Sequence, residues 1–142
     1  MAKLIRLILV AALTLVVTTC GLTPAYAASP VQETTVVFLQ ADSATDGGWN
    51  AASWRGIQEL GELGVVTKTG DYNFDVALVD GGTLHVKTIT NIGYNATDIE
   101  RTARAIVQGG ANMVIGTWFD SGFILAALAE EFPDVKFVHI SG

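Results

Sequence analysis

The chain has 142 residues, with 8 basic and 14 acidic side chains and a single cysteine, Cys20. An acidic chain with no basic run lacks the electrostatic footprint of a nucleic-acid-binding protein. One cysteine excludes an internal disulfide and a thiolate metal site.

Residues 1–27 read as an export signal and not as part of the fold. Lys3 and Arg6 give a positive start, 7–17 is almost wholly apolar, and Ala25-Tyr26-Ala27 is an A-x-A cleavage site, so the mature chain is expected to begin at Ala28. The apolar run is too short for a good membrane anchor. The competing reading is a lipoprotein signal with Cys20 lipidated, although Val17-Thr-Thr-Cys20 lacks the small residue expected just before the cysteine. Either way the protein is expected to be exported, periplasmic or membrane-anchored as a lipoprotein if Cys20 is lipidated. Without Lys3 and Arg6 the balance is 6 basic to 14 acidic, a net charge of −8. Such acidity favours solubility and says little about a ligand.

Residues 28–142 suffice for one small domain, and their pattern alternates strand and helix. A β-branched and aromatic run at 34–40 predicts the first strand, and a Gly-Gly turn then opens a helix over 48–63. Residues 72–92 read as a hairpin, with strands at 75–79 and 84–89 around the turn Asp80-Gly-Gly82. Asn95 or Thr97 caps a second helix with Ile99, Ala103, Ile106 and Val107 on one face, and Gly109-Gly110 stops it. A buried-strand run follows at 112–117. Asp120 or Ser121 caps a third helix, which Pro133-Asp134 ends, and 135–140 is the last strand. Alternation of this kind predicts an α/β fold with a mostly parallel sheet. The sequence ends directly after a strand, whereas parallel sheets are covered on both faces, so the domain is expected to be incomplete.

Ligands of open α/β sheets bind at the carboxyl ends of the strands. At the first such end stands Asp46-Gly-Gly-Trp-Asn50, which brings a charge, an aromatic plate and an amide to one turn. The bland alternative is that Asp46 caps the helix and Trp49 plugs the core. At a later strand end stands Thr117-Trp118-Phe119-Asp120, on the same edge. Trp49, Trp118 and Phe119 are expected to sandwich a flat ring, while a simple capping role is favoured for Asp120. Tyr94 and Asn95 lie on this edge too, with turn and cap as their commoner roles. Asn95-Ala-Thr97 matches a glycosylation sequon, a common triplet. Trp54, one turn into the first helix, reads as core. His85 and His139 sit inside strands without a partner at metal-ligand spacing, so no metal site and no cofactor are expected. No nucleophile–base pair is present, and Gly47-Gly48 lacks the Lys and Ser/Thr of a phosphate loop, so an enzyme is not expected.

The chain resembles the amino-terminal part of the basic membrane protein family of ABC-transporter substrate-binding proteins. The resemblance rests on Asp46-Gly-Gly-Trp-Asn50, Gly56-Ile-Gln-Glu-Leu60, Asp98-Ile-Glu-Arg101 and Glu131-Phe-Pro-Asp-Val-Lys-Phe137, in that order after a signal peptide. It implies one parallel-sheet sandwich lobe of a type I periplasmic binding protein, in which two α/β lobes close on a ligand. It further implies a purine nucleoside or base as ligand and a membrane permease as partner. Carried over by position, Asp46, Trp49 and Asn50 match the family's first-loop motif, in which the ring lies against the base and the polar groups anchor it. Trp118 and Phe119 match a later cleft loop. Two departures stand out: residues 65–84 form a longer link than usual, and the second lobe is missing. A sugar or another small solute remains the alternative ligand, because fold does not set ligand, and a truncated, non-functional fragment is a further reading.

Overall fold

The computed structural model describes residues 32–141; the expected signal peptide, Cys20 and Gly142 lie outside the described residues. The described residues build a six-stranded sheet from β1 (Glu33–Leu39), β2 (Gly64–Lys68), β3 (Asn73–Leu78), β4 (Thr83–Ile89), β5 (Met113–Gly116) and β6 (Lys136–His139). Three helices accompany it: α1 (Trp49–Gln58), which tightens into a 3₁₀ turn at Glu59–Leu63, α2 (Ala96–Gln108) and α3 (Ser121–Glu131). The strand order is β2-β3-β4-β1-β5-β6. Strands β4, β1, β5 and β6 run parallel, and β2-β3-β4 form an antiparallel meander.

The alternation within β1 explains the layering. Val37 and Leu39 face one side, where they pack with Ile99 and Ala103 of α2 and Leu125 and Leu128 of α3. Val36 and Phe38 face the other side, where Ile57 of α1 joins Phe74, Val76 and Val86. A strand buried on both faces needs apolar residues at every position, and Val36 to Leu39 supplies them. Helix α2 starts where Asn95 accepts hydrogen bonds from the Thr97 and Asp98 amides at 2.9 and 3.3 Å. It ends at Gly109 and Gly110, the latter at φ +89°, a left-handed conformation that glycine adopts without steric cost. Because the Asn95 side chain is the cap, the sequon asparagine is engaged with the backbone.

Two expectations change. The long link at 65–84 is more than one hairpin: Val65 to Lys68 pairs along β3 as an outer edge strand. Its turn, at 69–72, reaches the carboxyl end of β4, where the Thr88 amide donates to the Tyr72 carbonyl at 3.1 Å. His85 also has carboxylate neighbours, brought by strand register and not by local spacing. Asp75 lies opposite it on β3, and Glu33 is near it on β1. The Nδ1 atom is 2.8 Å from Asp75 and Nε2 is 2.7 Å from Glu33. Carboxylates only accept, so it is the protonated ring that donates from both nitrogens, one to each carboxylate. The two carboxylates engage opposite ring nitrogens and so do not converge on one point. Among the described residues no His, Cys, Asp and Glu cluster is suited to a metal ion. None of the described helices is long and apolar enough to cross a membrane.

The face that carries α1 is covered only in part. Beyond α1, Val138 and Ile140 are exposed. An apolar groove of about 460 Å³ runs there between Phe38, Trp49, Ile57 and Ile140. On the other side of α1, Trp54 packs edge-on to Tyr72 and Phe74, with ring centroids 5.4 and 6.4 Å away. Trp54 is thereby tied to the meander.

Candidate functional site

Three loops meet at the carboxyl ends of β1, β4 and β5. The link after β4 is held to the link after β1: the Asn91 amide donates to the Asp42 carbonyl, and Gly93 to the Ala41 carbonyl at 2.8 Å. Asn91 sits at φ +59°, which asparagine tolerates better than most residues. The result places Tyr94 over Asp42, to whose carboxylate its hydroxyl donates. The loop after β5 is fixed by Thr117, whose amide and hydroxyl both donate to the Leu39 carbonyl. At Gly116 an added Cβ would lie 2.3 Å from Ser121 Oγ, so only glycine lets α3 start this close to β5.

Asp46 organises the first loop. One oxygen accepts from the Gly48 and Ala51 amides at 2.7 and 3.0 Å, and the other from the Asn50 side-chain amide at 2.8 Å. Gly47 precedes the helix at φ +74°, which lets the chain fold back over the carboxylate. The bond from Asn50, followed by those from Gly48 and Ala51, lowers the Asp46 pKa from 3.8 to about 2. The side chain is exposed but acts as the helix cap from outside the helix.

The aromatic residues divide differently from the expected sandwich. Trp49 is 49 % exposed and is no core plug. Its indole N–H donates to the Thr117 carbonyl, which ties the first loop to the third. Phe119 is 66 % exposed and meets the exposed Phe123 edge to face at 6.4 Å. Trp118 is 7 % exposed and belongs to the core with Val37, Leu39 and Leu125. Its carbonyl receives the Ser121 hydroxyl at 2.6 Å and His139 Nε2 at 3.1 Å. The surface offered by the two loops is therefore Trp49 and Phe119, with Trp118 beneath.

The polar residues are divided as well. Asn50 is 5 % exposed, so its amide faces Asp46 and not open solvent. Asp120 occupies the position before α3 without a side-chain capping bond, contrary to the capping role favoured for it, because its backbone is already helical at φ −65° and ψ −20°. Its carboxylate stays exposed on the edge. Two participants have no clear signature in the sequence: Asp42, which receives Tyr94, and Gln40, whose side-chain N–H donates to the Asn50 carbonyl at 3.0 Å. Their only signal is position, within three residues of the end of a predicted strand.

No protein-family model matches the chain. No curated protein matches it either. Among solved structures, the chain is similar in fold to the ABC transporter system solute-binding protein from Conexibacter woesei DSM 14684, with a TM-score of 0.52 and 23 % identity. The match covers 73 % of this chain and 28 % of that one, so the chain spans well under half the length of the solved relative. The fold is thus an α/β lobe with a mostly parallel sheet, of a kind found within a solute-binding protein.

Proposed function

We propose that the chain is the amino-terminal, ligand-facing lobe of an extracytoplasmic solute-binding protein that serves an ABC importer. Its ligand is a purine nucleoside or nucleobase, held by stacking on Trp49 and Phe119 and by polar contacts to Asp42, Asp46 and Asp120. The observation that carries this reading is the bond from Trp49 to Thr117, which holds an exposed aromatic plate at the meeting point of two strand ends. Flat ligands gain about 0.5–1.5 kcal/mol from such a plate beyond area burial. The reading is non-enzymatic: the site binds, and a closing second lobe buries the ligand. Export by the leader at 1–27 and delivery to a membrane permease complete it.

Native mass spectrometry of the protein purified from its own host's envelope, without refolding, tests the proposal. Retention of a purine or nucleoside is the expected result. A retained ligand of another class would end the purine reading. The exposed carboxylates of Asp42 and Asp120 favour one second reading, a sugar whose hydroxyls they would receive. Competition between ribose and free adenine separates the two.

A further inference from the structure

The three loops of the site, at 40–50, 91–95 and 117–121, contain Asp42, Asp46 and Asp120 and no lysine or arginine. All three carboxylates lie close enough to Tyr94 to raise its pKa, the bond to Asp42 most strongly. A second observation points the same way. Gln40 is fully buried and donates through Nε2 to the Asn50 carbonyl, while Asn50 donates through Nδ2 to Asp46. Those partners accept only, so both amide orientations are fixed and the remaining atom of each is an oxygen. Both oxygens are buried without a donor. Asn50 Oδ1 belongs to the amide whose nitrogen lies 2.8 Å from Asp46. Among the buried atoms of these loops two acceptors and one donor, Trp118 Nε1, are unmet, so the balance is toward acceptors and favours a donor.

We propose that this edge is a charge filter: it admits neutral or cationic ligands that donate hydrogen bonds and turns away the phosphorylated form of the same molecule. The inference deepens the solute-binding reading above and rests on it. A phosphate monoester carries close to two negative charges at neutral pH, and like charges brought together at a binding site are strongly disfavoured. If the nutrient is released outside the cell as a nucleotide, a phosphomonoester hydrolysis must precede capture.

The test has two arms. In the first, iodide and caesium compete as quenchers of Trp49 fluorescence, with Trp49→Phe as the blank. Caesium is expected to quench several-fold better than iodide at low salt, and the gap to narrow in D42N/D120N. Equal quenching by the two ions overturns the filter whatever the ligand is. In the second arm, adenosine is compared with AMP, and ribose with ribose 5-phosphate. The neutral member of a binding pair is expected to bind roughly 30-fold tighter or more, and D42N/D120N to shrink that ratio about tenfold. If AMP binds as well as adenosine, the filter fails and the nucleoside reading stands. If only the ribose pair binds and shows the gap, the filter stands and the nucleoside reading fails.

Discussion

Trp49 and Trp118 each lie on the passage from a strand to the helix that follows it, yet one is half-exposed at the carboxyl edge of the sheet and the other is in the core. The difference is set by what lies beneath. Trp118 follows a strand covered by α3, while Trp49 opens a helix and reaches back to Thr117. On the proposed reading, Trp49→Ala is expected to weaken nucleoside binding about tenfold, read by calorimetry; unchanged affinity would remove the stacking role. Trp49→Phe keeps the plate, loses the N–H donor, and is expected to retain most of the affinity. Asp46 makes a prediction of its own. Its folded pKa, about 2, is below the ordinary 3.8, so its contribution is complete above pH 3.8 and disappears as pH falls toward 2. Asp46→Asn is expected to lower the melting temperature at neutral pH and to lose that penalty in acid. The motif around Asp46 is legible in the sequence because capping is local, with all its donors within five residues. Which of two adjacent aromatics points inward is not local, and the order Trp118 then Phe119 does not reveal it.

At the level of elements, the sheet holds a charged cross-tie that links three strands. His85 on β4 bonds Asp75 on β3 and Glu33 on β1, and the remaining charged neighbour on that face of β4 is Lys87. The bond to Asp75, then that to Glu33, raises the His85 pKa above 6.5. The tie is therefore fully present below the ordinary histidine pKa and is lost as pH rises through the raised folded value. Wild type is expected to be more stable than His85→Gln at about pH 5.5, with a smaller difference at about pH 9, by thermal melts. An NMR titration of the ring that returned an ordinary midpoint would contradict the tie. The junction of β5 and α3 supplies a second test. Gly116→Ala is expected to destabilise by ~1–3 kcal/mol, because the new methyl meets Ser121 before any flexible atom can give way. The helices and parallel strands were legible because each is a run of periodic apolar residues with its own stop signal. Strand β2 was not. Val65 to Lys68 is exposed on both faces, so no burial pattern marks it, and it becomes a strand only through its pairing with β3.

For the molecule as a whole, two cores lie on opposite faces of the sheet, and β1 contributes to both. Leu39→Ala is expected to cost ~2–5 kcal/mol, since Leu39 is fully buried at the point where the three site loops begin. Its carbonyl also receives both donors of Thr117, so loosening this strand end should disturb the site before it unfolds the lobe. The bond from Trp49 then acquires a mechanical meaning. Thr117 is gripped by Leu39 on one side and by the Trp49 indole on the other, so the first and third loops form a closed loop of forces. A ligand that tilts the indole pulls on the Thr117 carbonyl and through it on β5. Amide exchange at Thr117 should therefore slow when a ligand lands on Trp49, which makes a residue shielded from the ligand a reporter of its arrival.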